Sequence, residues 1–205
     1  MLGKAGIDRI KRYVDGGGYL FSEDWILEEI LQLAWPQFVK CGAYLREQDV
    51  AVLPKQGSGA HPYLRKIFVK PPSQKRSDGG TSVEEDVSRI DHEWHIDQDS
   101  PAIAITDKSK VQTLLFSESV GIQADRNGSD AVAITFMPGM AGPADVASGQ
   151  NRETLKGGRV VHVLSHFGKQ GQKDAGQKGE ATLMNLMVNF LNEASERRAL
   201  AGRKP

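Results

Sequence analysis

The chain has 205 residues, 39% of them hydrophobic and 25% charged, which suits one folded domain and excludes a disordered polymer. Lysine plus arginine and aspartate plus glutamate number 26 each, so bulk charge draws the protein to neither nucleic acid nor an anionic membrane surface. A single cysteine, Cys41, excludes an intrachain disulfide framework and a cysteine-rich zinc site, and no apolar run is long enough to span a bilayer. The chain as given is expected to be soluble, in the cytoplasm or, as part of a longer protein, in the periplasm or envelope; its oligomeric state is not readable.

Ile7, Ile10 and Val14 share one helical face, and Gly16, Gly17 and Gly18 stop that helix. Tyr19 to Phe21 reads as a short strand. Ser22, Glu23 and Asp24 then read as the cap and first turn of a second helix through Trp25, Ile26, Ile30, Leu31 and Leu33, ending before Pro36. From 37 to 59 the pattern is irregular, with a strand candidate at Val50 to Leu53 and a turn with a short helix around His61. Residues 54–100 as a whole read as an irregular insertion, proline-, glycine- and serine-rich over 70–90.

The run Asp91, His92, Glu93, His95, Asp97, Asp99 combines imidazoles and carboxylates, donors that suit zinc, manganese or iron. On an extended segment Asp91, Glu93, His95, Asp97 and Asp99 fall on one face, which describes a solvated strand edge equally well. His92, Glu93, His95 and Asp97 are therefore weak metal-ligand candidates, and a divalent ion is the one cofactor considered. Lys110 to Val120 and Asp130 to Met137 are further strand candidates, followed by a small-residue loop at 138–156.

Val160, Val161, Val163 and Leu164, opened by Gly157 and Gly158, form a β-branched run suited to a strand buried on both faces of a parallel sheet and ending at His166. After a loop carrying Lys169, Gln170, Lys173 and Lys178, Leu183, Met184, Met187, Val188 and Leu191 recur at helical spacing. Residues 196–205 read as a flexible tail. Strand, loop and helix repeated in this way imply an α/β domain over 1–205, a mostly parallel sheet with helices on both faces, with the Tyr19 and Val160 strands parallel neighbours. Ligands of such sheets bind beyond the carboxyl ends of the strands.

V-D-G-G-G-Y-L-F-S-E-D-W followed by G-R-V-V-H-V-L-S-H-F and L-M-V-N-F-L resembles the elbow, histidine strand and last helix of the class I glutamine amidotransferase-like superfamily, a flavodoxin-like fold. It is also similar to the trehalose-utilisation branch and related bacterial domains in which an acidic pair replaces the nucleophile. The resemblance covers most of 7–194. It implies Glu23, Asp24 and His166 as catalytic candidates, with Ser22, Trp25, Ser165 and Phe167 around a ligand. The family's elbow cysteine is replaced by Ser22-Glu23-Asp24-Trp25, and its His-Pro-Glu by His166-Phe167-Gly168, so glutaminase chemistry is not expected. Because the family has three strands before the elbow, the chain is expected to be a piece of a longer protein, truncated at its N-terminus, or to complete its sheet differently. The implied function is a non-catalytic module binding a small polar or sugar-like ligand, a protein partner or companion domains. The alternative is a hydrolase or sugar-processing enzyme using Glu23 or Asp24 with His166.

Overall fold

The computed structural model describes residues 2–68, 92–138, 157–166 and 176–202, with side chains in the last helix from 181 to 199. Asp91, Phe167, Lys169, Gln170, Lys173 and the 70–90 stretch lie outside the described residues, as does the side chain of Lys178.

Helix α1 (Lys4–Asp15) buries Ile7 and Val14 and ends at Gly16. Strand β1 (Tyr19–Glu23) follows, then a π-type turn at Leu27–Leu31 that continues into the short α2 (Gln32–Ala34). Next come β2 (Val39–Tyr44), β3 (Gln48–Ala51), β4 (Leu53–Pro54) and a 3-10 turn at Pro62–Leu64. Beyond the undescribed stretch lie β5 (Glu93–Ile96), β6 (Pro101–Ile105), β7 (Val111–Phe116), α3 (Glu118–Ala124), β8 (Ala131–Phe136), β9 (Arg159–Val163) and α4 (Gly176–Gly202). The last helix thus continues through the first part of the expected tail.

The central sheet has five strands in the order β1-β9-β8-β7-β4. β1 and β9 are parallel neighbours, as expected, with Tyr19 opposite Arg159 and Glu23 opposite Val163. Their entry turns touch. A β-carbon on Gly158 would fall 2.1 Å from the carbonyl oxygens of both Val14 and Gly18, so glycine is required for the approach. The Arg159 amide donates to Gly18 O at 3.0 Å across the same junction.

The fold is mixed α/β, but its central sheet is mostly antiparallel rather than the expected mostly parallel one, because β8, β7 and β4 join antiparallel. All six residues of β8 are buried, which reports cover on both faces but not direction. The Ser117 to Asp130 connection, α3 included, returns the chain as a long hairpin between β7 and β8 instead of a crossover. Two antiparallel ribbons, β2 with β6 and β3 with β5, complete the fold.

Two further expectations change. Ser22 and Glu23 belong to β1 rather than to a helix cap, and no side chain caps the Leu27–Leu31 turn. On α4 the buried apolar residues among those described are Leu183, Leu186 and Phe190, whereas Met184, Val188 and Leu191 are exposed. The Phe190 ring decides that rotation, because it packs against Tyr19, Phe21 and Tyr63. No helix among the described residues is long and apolar enough to cross a membrane.

Candidate functional site

Side chains alternate along a strand, so Ser22 and Glu23 of β1 face opposite sides. Ser22 turns inward, with Oγ 3.1 Å from His162 Nδ1 and 3.3 Å from Val161 O, so the hydroxyl is committed beneath the site rather than to a ligand. Glu23 emerges on the other side, its Oε2 3.7 Å from His166 Nδ1.

Asp24 ends the strand in a turn. Its amide donates to Val163 O at 2.9 Å, its φ is +44°, and its side chain is fully buried. Aspartate tolerates this left-handed conformation better than most residues. The turn aims the carboxylate across the ends of the two parallel strands, where Oδ2 lies 2.9 Å from His166 Nε2.

A third element completes the group. β5 alternates buried Trp94 and Ile96 with half-buried Glu93 and His95, and Asp97 follows at its end. Asp97 Oδ2 lies 3.5 Å from His166 Nε2, and its Oδ1 3.6 Å from His95 Nε2. His95 is oriented from behind by Asp49, 2.7 Å from Nδ1, and approached by Glu47 at 3.4 Å. β5 is held in place by Ser165, whose Oγ donates to the His95 carbonyl at 2.8 Å. That bond joins the end of β9 to β5 and sets Asp97 beside His166.

Donor atoms of Asp24, Asp97 and His166 lie within 4.8 Å of one another. Ligands of one divalent ion, each about 2.0–2.2 Å from it, stand about 3.0–3.5 Å apart, close to the separations His166 Nε2 makes here. One imidazole and two carboxylates are a donor set for zinc, manganese or iron. The Trp25 ring covers one side, its centroid 5.1 Å from that of His166, and its Nε1 donates to Asp99 O at 3.2 Å.

The structure therefore joins two groups that the sequence presented separately, Glu23, Asp24 and His166 in one and Asp97 with His95 in the other. Ser165 braces β5 through the His95 carbonyl. His92 lies apart, its ring bonded to Thr182 of α4 and packed edge-on against Phe68, and among the described residues Glu93 is not one of the converging donors. Asp49 and Glu47 were not singled out in the sequence. Their only signal is the alternation of β3, which becomes informative once β3 is paired with β5 through Asp49 and His95. Cys41 is half-buried on β2, and burial pushes its thiol up to about 11, away from thiolate chemistry at neutral pH. No protein-family model, no curated protein and no solved structure matches the chain.

Proposed function

We propose that this chain is an amidotransferase-like binding module whose Asp24, Asp97 and His166 take a divalent cation and, through it, a small polar ligand such as a sugar. The observation that carries this reading is the convergence of three donors from the ends of β1, β5 and β9 within 4.8 Å. Glu23 adds a further carboxylate at the rim, so the local field favours a positive charge and disfavours a bare phosphate or carboxylate. Trp25 offers an apolar face to a sugar ring. Support for the amidotransferase-like fold is narrower. It consists of the parallel β1 and β9 pair with Glu23, Asp24 and His166 at its carboxyl end, while the antiparallel strands beyond β9 depart from a flavodoxin-like sheet.

Thermal unfolding with manganese or zinc tests the reading, on wild type and on Asp97→Asn and His166→Ala. A cation at about a hundred times its Kd adds about 2.7 kcal/mol, a rise of several degrees in Tm. The rise should vanish in both variants; equal stabilisation of all three proteins would place the cation elsewhere.

A hydrolytic reading is favoured by one distance, the 2.9 Å between Asp24 Oδ2 and His166 Nε2. A carboxylate so placed orients an imidazole to accept a proton from water. Hydrolysis of an aryl glycoside that disappears in His166→Ala would select this second reading.

A further inference from the structure

Away from that site, two adjoining clefts open on the face formed by β2, β6 and the turn before β8. One, of about 730 Å³, is lined by Lys40, Cys41, Lys108, Arg126 and Asn127. The other, of about 760 Å³, is lined by Lys55, Ser58, Val111 and Gln112, and the two share Ile105, Lys108, Ser129 and Asp130.

The charges in these clefts do not cancel. Asp130 is ion-paired with Lys55, and the neighbouring Asp107 with Lys110. No carboxylate of the described residues pairs with Lys40, Lys108 or Arg126. Three cations from three elements thus face one cavity in a chain whose formal net charge is zero.

The wall carrying Arg126 is fixed by backbone. Asn127 O accepts from the Ala43 amide, Asn127 N donates to Ala124 O, and Ser129 Oγ donates to Ile103 O. β2 approaches so closely that a β-carbon on Gly42 would fall 2.0 Å from Asn127 O, and one on Gly128 2.9 Å from that of Ala124. The floor is preorganised by contacts only glycine permits.

We infer that this double cleft binds a phosphorylated small molecule, its phosphate between Lys40, Lys108 and Arg126 and its uncharged remainder over Ile105 and Val111. Arginine offers a planar fork and lysine a point charge, a pairing suited to phosphate oxygens. Three cations exceed the charge of one carboxylate and match a di- or trianion. Confinement of the charge to one concavity favours a small ligand over a nucleic acid, which is bound along an extended basic surface.

Titration calorimetry at low salt with inorganic phosphate, pyrophosphate and glucose 6-phosphate is the test. Pyrophosphate is expected to bind saturably and to weaken as salt rises. Glucose 6-phosphate should bind more tightly than inorganic phosphate, because only it reaches the second cleft. Lys108→Glu and Arg126→Glu, both at exposed positions and checked for native circular dichroism, should each weaken binding about tenfold or more while leaving the manganese response at Asp24, Asp97 and His166 unchanged. Absence of saturable binding by all three anions, or equal binding in the variants, overturns the site. Glucose 6-phosphate no tighter than phosphate overturns the role of the second cleft, and a single-stranded oligonucleotide binding more tightly than every small anion overturns the ligand class.

Discussion

His162 lies fully buried in the middle of β9, opposite Ser22 of β1, in the only parallel pair of the central sheet among the described residues. Burial lowers its pKa from 6.5 to about 3, against a smaller upward pull from its contact with Ser22. Its Nε2 has no hydrogen-bond partner among the described residues. A bare lone pair is less costly to bury than an unsatisfied N–H, so the favoured tautomer carries its proton on Nδ1 and donates to Ser22 Oγ, which donates in turn to Val161 O.

Because the folded pKa is depressed, the unfolded chain takes up the proton first as pH falls. The stability this neutral imidazole preserves is complete above pH 6.5 and is lost progressively toward about pH 3. At about pH 5 the difference between the two proton-binding curves is about 2 kcal/mol, and near the lower limit it approaches about 5 kcal/mol. His61, lowered to about 4 chiefly by burial, adds a loss of the same sign. His162→Asn isolates the first share, because its amide stands where imidazole Nδ1 stood and does not titrate. Urea unfolding followed by tryptophan fluorescence at about pH 7 and pH 5 should show wild type losing about 2 kcal/mol more than His162→Asn. Equal losses would show that His162 is protonated in the native state and that the pair is not sealed from water.

Gly158→Ala should cost at least about 3 kcal/mol in the same assay, since its β-carbon meets two fixed carbonyl oxygens at 2.1 Å. Ser165→Ala removes the bond to the His95 carbonyl and is expected to cost about 1–3 kcal/mol and to weaken manganese binding, measured by calorimetry. Asp24→Asn, which keeps a side chain suited to its φ of +44°, should stay within about 1 kcal/mol of wild type or exceed it, yet lose the cation-induced rise in Tm. Cys41→Ser should unfold within about 1 kcal/mol of wild type, and the native thiol, pushed up to about 11, should alkylate slowly at neutral pH.

Much of the central sheet was legible because the relevant signals are local. The apolar runs of β1, β8 and β9 and the glycines before β1 and β9 are readable residue by residue, and those glycines meet in the structure. Strand direction was not legible, since a strand covered on both faces has the same composition in either orientation. β2 escaped notice because Lys40, Cys41, Gly42 and Ala43 carry no apolar alternation; what makes it a strand is its antiparallel pairing with β6, Val39 opposite Ile105, far away in sequence. The α4 stripe was misjudged because apolar residues surround the helix, and only the Tyr19, Phe21 and Tyr63 rings select Phe190.

Capping and catalysis make the same residue types attractive at a strand-to-helix turn, so the sequence alone left Glu23 and Asp24 with two readings. Geometry separates them. A cap would point a carboxylate at the first amides of the following helical turn, yet no side chain caps that turn, and Asp24 faces His166 instead. Burying a carboxylate beside an imidazole yields little net stability, because the desolvation of both groups offsets their attraction. Asp24 bears a second cost, a left-handed backbone conformation, and Asp99 near the same group has φ of +64°. Such strain persists where surrounding contacts enforce it. Here the enforcing contacts are those that also set the donors' spacing, namely the Asp24 amide on Val163 O, Ser165 on the His95 carbonyl, and Trp25 Nε1 on Asp99 O. The same contacts hold Asp24, Asp97 and His166 at their observed separations, which is the preorganisation that the proposed cation site requires.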